Sequence, residues 1–180
     1  MFFPGWREGP PLPQARISHC MAQISENEVL IAGGSRGQPS KPMKSSLILN
    51  LDTMKYSTVG DLANEEGTHS CTFFQGKVYL VARGSRKTEI FDPLSKKWSP
   101  GPTFPHQILG RLGNLVAENE NDLFYSDSER FYKLVQTTQT WESVHEVQNI
   151  KLHERALPPR FVITESIVDD NQKCNFATLQ

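Results

Sequence analysis

Five histidines and three cysteines are the side chains here best equipped for metal binding or nucleophilic chemistry, and their spacing sets what they can do. His19, His69, His106, His145 and His153 nowhere form H-x-x-x-H, and none stands at zinc spacing from a cysteine. No metal and no other cofactor is therefore expected. A nucleophilic Cys–His pair needs both side chains on one face of their element. His19 and Cys20 are adjacent, and neighbours on a strand point to opposite faces. His69 and Cys71 do share a face, but a small buried thiol used for packing accounts for Cys71 more simply. Two glycine-containing strings mimic nucleotide sites without matching them. IAGGSRG fits neither G-x-G-x-x-G nor a helix start, and ARGSRKT lacks the G-x-x-x-x-G-K spacing that cradles a phosphate.

The cysteines bear on the compartment instead. Cys20, Cys71 and Cys174 are odd in number and lie 51 and 103 residues apart, so they read as free thiols rather than a disulfide framework. Free thiols suit a reducing environment, and the cytoplasm is the expected location. The absence of any N-x-[ST] sequon agrees, and MFFPGWREGPPLP lacks the basic and apolar regions of a signal peptide.

The chain has 180 residues with 19 Lys+Arg against 20 Asp+Glu, a formal net charge of −1. That balance argues against nucleic acid as the partner, because displacing counterions needs a cationic surplus. A mean hydropathy of −0.46 and the lack of eighteen consecutive apolar residues argue against a membrane span.

The elements that must carry these residues are β-strands. Twelve glycines and twelve prolines punctuate the chain, and no stretch keeps helical apolar spacing for three turns. Trp6, Tyr56, Trp98 and Trp141 recur at intervals of 50, 42 and 43 residues, the period of a four-stranded propeller blade. Seven residues before the last three stand Leu49, Phe91 and Leu134, each ending a strand. Upstream in each unit lies a predicted hairpin: ISHCMAQI with VLIAGG, HSCTFF with VYLVAR, and GNLVAE with LFYS. His19 and His69 occupy equivalent positions, and Asn114 holds the third. A blade apolar on both faces cannot bury them alone, so neighbours must stack. The aromatics then fill the space between blades.

The order P-x-x-R-x-x-H, V-x-I-x-G-G, F-D-P and W resembles the kelch repeat. PQARISH, VLIAGG and Tyr56 carry it in the first unit, and THS, GKVYLVARG, IFDP and Trp98 in the second. Only Gly33–Gly34 supplies the full diglycine; the second unit has Ala82–Arg83 there and the third has no glycine. The resemblance implies an all-β, kelch-type β-propeller segment of about three four-stranded blades with partial blades at both ends. The expected limits are 1–12 for the end of a preceding blade, 13–60, 61–103 and 104–147 for the blades, and 148–180 for the start of another. Arg160 matches Arg16 in that last piece. Two closures stand open: a piece of a longer propeller, or a small ring in which the two ends join as a fourth blade. An open arc would expose two apolar faces and could self-associate.

The resemblance further implies a protein-interaction module without enzymatic activity, such as the substrate-recruiting part of a ubiquitin-ligase adaptor or a cytoskeletal scaffold. The alternatives are a fragment of a propeller enzyme, galactose-oxidase-like or sialidase-like, and a non-functional truncated copy. Against the enzymes, the chain has no S-x-D-x-G-x-x-W box and no convergent Tyr, His and Cys set for copper. The loop after the second strand of a blade and the join to the next blade open on one face. SRGQPSKPMKSS and RGSRK are basic there, whereas the third loop, SDSER, carries acids. Arg16, Arg36, Lys41, Arg83, Arg86 and Arg111 are the residues expected to grip a protein partner, an acidic or phosphorylated peptide.

Overall fold

A computed structural model describes residues 9–144 apart from 38, 66, 109–112 and 128–129. Arg111, residues 1–8 of the piece expected at 1–12, and the piece expected at 148–180 lie outside the described residues. In chain order the first strands are β1 (Cys20–Ser25), β2 (Glu28–Ala32), β3 (Ser35–Arg36), β4 (Lys41–Pro42), β5 (Ser46–Asn50) and β6 (Lys55–Thr58). Then come β7 (His69–Phe74), β8 (Lys77–Ala82), β9 (Lys87–Asp92) and β10 (Lys97–Thr103). The last four are β11 (Asn114–Ala117), β12 (Leu123–Ser126), β13 (Phe131–Val135) and β14 (Thr140–Ser143). No helix occurs among the described residues.

The strands form three antiparallel four-stranded sheets, β1-β2-β5-β6, β7-β8-β9-β10 and β11-β12-β13-β14, called blades I, II and III. The short β3–β4 hairpin is inserted into blade I. Local chemistry sets the turns. Gln75 and Gly76, both left-handed at φ 48° and 76°, join β7 to β8 in the two-residue hairpin whose twist matches its strands. The seven-residue aromatic spacing is a cross-strand register: Leu49 faces Tyr56, Phe91 faces Trp98 and Leu134 faces Trp141.

Packing explains why each unit repeats. The first core lies between blades I and II, where Leu30, Ile48 and Leu62 meet Val78, Leu80 and Phe91. The second lies between blades II and III, where Tyr79, Val81 and Phe104 meet Leu123, Tyr132 and Trp141. β8 is buried from Val78 onward because alternate side chains serve the two cores. The innermost strands β1, β7 and β11 run beside one another, and the described blades form an open arc.

One expectation is corrected here. Cys20 and Cys71 are not free thiols: a disulfide joins them across β1 and β7, with Cα atoms 5.7 Å apart, so the free-thiol argument for a cytoplasmic location does not hold for this pair. Cys20 points from blade I towards blade II, and Cys71 points back. They meet because they occupy complementary faces rather than equivalent repeat positions.

Candidate interaction face

The diglycine is where the blades are tied together. Arg16, just before β1, is buried and donates Nη1 to the carbonyls of Gly33 and Ser45, each at 2.9 Å, and Nη2 to Ser45 Oγ at 3.0 Å. Burial holds its pKa below the usual guanidinium value. This corrects its place in the partner-facing set. Its guanidinium braces two backbone turns and is not presented to a partner.

His69 completes the tie from the next blade. Its Nδ1 accepts the Gly34 N–H at 3.1 Å, and the His69 backbone N–H donates to Ser18 O at 3.1 Å. The imidazole must be neutral to accept, and burial lowers its pKa to about 4. His19 is the equivalent residue of blade I. Its Nδ1 is buried without a partner among the described residues, and burial followed by the Arg16 charge lowers its pKa.

The His69 value sets a pH dependence. Folding lowers this pKa from 6.5 to about 4, so the unfolded chain takes up the proton first as pH falls. The contribution is complete above pH 6.5, declines through the interval down to about 4 and levels off below it. The loss is on the order of 3 kcal/mol. Urea unfolding of the wild type and of His69→Gln across that interval checks it, and the variant is expected to show a shallower decline.

The second-to-third-strand loops and the joins between blades share one end of the arc. In blade I, Leu62 N donates to Lys44 O at 3.0 Å and Ser35 Oγ to Gly67 O at 3.0 Å. Forty-two residues on, Phe104 N donates to Arg86 O at 2.7 Å, and Gly84 N and Ile108 N bond Ile108 O and Ser85 O. Arg36, Lys41, Arg83, Arg86 and Lys87 are all exposed at this end. Arg36 and Lys41 are direct cross-strand partners on β3 and β4. Like charges so placed repel, and an anion between them would relieve that repulsion. Arg86 Nε donates to Phe104 O at 3.0 Å, which fixes its side chain against the join. Lys44 is paired with Glu65 at 3.8 Å.

Glu89 does not offset this charge at the surface. It is buried, and its carboxylate accepts Ala63 N at 2.8 Å, Asn64 N at 3.3 Å and Asn64 Nδ2 at 3.1 Å, clamping the join. The next join is built differently. Pro105 replaces Ala63 and has no N–H to donate, while Tyr132 replaces Glu89 and packs edge-on against Phe104 at 5.2 Å. A hollow of about 620 Å³ opens there, lined by Pro105, His106, Arg130, Phe131 and residues 141–144. No group of three or more His, Cys, Asp or Glu suited to a metal occurs among the described residues.

Besides Glu89, two residues have structural roles that were not legible in the sequence. Ser46 Oγ accepts Trp98 Nε1 at 3.1 Å, and Thr88 Oγ1 accepts Trp141 Nε1 at 3.0 Å, each across a blade boundary. Their 42-residue separation echoes the tryptophan spacing and was the available signal.

Three such blades, with inner hairpins, outer aromatics and a diglycine tie at the first boundary, make an all-β, blade-like arrangement consistent with a partial propeller of the kelch type. No protein-family model matches the chain. It is similar to Kelch-like protein 36 of Mus musculus and of Rattus norvegicus, 23% identical to each over 126 residues. The alignment covers 63% of this chain and 20% of each relative, so the chain spans about a fifth of their length.

Proposed function

We propose that this chain is a non-catalytic protein-interaction module whose loop end grips an acidic or phosphorylated peptide. The observation that carries the reading is the facing of Arg36 and Lys41 on an exposed hairpin, with Arg83, Arg86 and Lys87 on the next loop at the same end. Arginine forks suit carboxylates and phosphates because two parallel N–H donors meet two oxygens. Arg111 joins the set as a sequence-based member. The similarity to Kelch-like protein 36 supports a protein partner in general terms. A ubiquitin-ligase adaptor or cytoskeletal scaffold in the cytoplasm is the corresponding proposed setting, with the outer blade faces, which include exposed Met21 on blade I, available for self-association.

The test is titration with a fluorescent peptide rich in glutamate and phosphoserine. Wild-type binding is expected to weaken as salt rises, because exposed charges are screened. Changing Arg36, Arg83 and Arg86 together to Glu is expected to lower affinity at least tenfold and flatten the salt dependence, with the circular dichroism spectrum unchanged. Equal affinity and salt dependence in a folded triple variant would overturn the reading.

A further inference from the structure

We infer that Cys20 and Cys71 form a reversible thiol–disulfide exchange site that staples blade I to blade II. The bond closes a loop across 51 residues and links the innermost strands of neighbouring blades. It has no counterpart at the next boundary. There Ser70 holds the position of Cys20 and Val116 that of Cys71, and Ser70 Oγ accepts the Leu115 N–H at 3.0 Å.

Two features make the bond reversible without unfolding the blades. First, the partners are held together by other means: His69 is tied to Ser18 O and Gly34 N beside the bridge, and both cysteines border the first core. The reduced sulfurs therefore stay close enough to re-form the bond. Second, the two ends differ in access, since Cys20 is 2% exposed and Cys71 only partly buried. Attack follows the accessible end.

The exchange balances as follows. The thiolate of a low-molecular-weight thiol attacks Cys71 Sγ, the Sγ–Sγ bond breaks, and Cys20 leaves as a thiolate that takes up a proton. A second small thiol attacks the mixed disulfide and releases Cys71 and a small-molecule disulfide. Two protein sulfurs are reduced by two electrons from two thiols. The small-molecule disulfide drives the reverse reaction. The site is independent of what the loop end binds.

The test equilibrates the full chain in buffers of varied reduced-to-oxidised glutathione ratio, then alkylates, maps peptides and measures the urea midpoint. The expected result is a single two-electron transition in which Cys20 and Cys71 become alkylated together, while Cys174 follows its own course. Reduction is expected to lower the midpoint by roughly 1–2 M urea. Cys20→Ser and Cys71→Ser should each abolish the redox dependence of the midpoint, and Cys174→Ser should retain it. Should the first two fail to fold, the comparison of oxidised and reduced wild type decides alone. Independent alkylation of Cys20 and Cys71, pairing of either with Cys174, or a bond intact at every ratio would each overturn the inference.

Discussion

Alanine at Gly34 is expected to destabilise the arc by about 2–5 kcal/mol, as measured by urea unfolding. Three costs combine. Gly34 has φ +88°, a left-handed conformation that an L side chain resists. A Cβ would lie 2.6 Å from Ile17 O and 2.9 Å from His19 Cβ, and a backbone oxygen cannot swing aside as a flexible side chain can. Any retreat of the turn stretches the Gly34 N–H bond to His69 Nδ1 and leaves a buried acceptor unsatisfied. Gly84 provides the internal comparison, with φ +89° and open space where its Cβ would stand. Gly84→Ala is expected to cost only the conformational part, about 1–2 kcal/mol. Equal losses at the two positions would show that crowding against Ile17 and His19 is not what demands glycine at position 34.

Trp141→Ala is expected to cost about 3–5 kcal/mol by the same measurement. The indole is 2% exposed and stacks on Phe104 with ring centroids 4.6 Å apart and planes 11° from parallel. Its truncation opens a cavity at the centre of the second core and strips the partner from Thr88 Oγ1, a fully buried hydroxyl. Trp141→Phe separates the two effects. A phenyl ring keeps the stack and loses the N–H, so its cost should be nearer 1–3 kcal/mol. Both losses are large beside the 5–15 kcal/mol that typically stabilises a domain. A cost below about 1 kcal/mol for the alanine variant would contradict the placement of Trp141 in that core.

The inner hairpins were legible because they depend on local information. ISHCMAQI and VLIAGG alternate or run apolar at strand length, and a polar turn separates them. The seven-residue aromatic spacing was equally readable, since antiparallel pairing through a short turn ties Phe91 to Trp98 directly. The candidate face was legible only in outline. Loop residues Arg36, Lys41, Arg83 and Arg86 are exposed as their loops suggested. Arg16 was misjudged because charge alone suggests solvent, whereas two backbone carbonyls and a serine converge on its guanidinium. The clamp by Glu89 was invisible because its partners are backbone N–H groups in the preceding join.

By itself, the sequence determined the inner hairpins, the blade period and the positions of Trp98 and Trp141 between blades, since hydrogen bonding within a hairpin and alternation along a strand act over a few residues. Only the tertiary structure decided which faces of successive blades meet. It joined Cys20 to Cys71, placed Trp98 on Ser46 and Trp141 on Thr88, and turned Arg16 inward. Each of these contacts bridges turns or blades distant along the chain. Their pairing follows from the three-dimensional stacking of two-faced sheets, which no local spacing encodes.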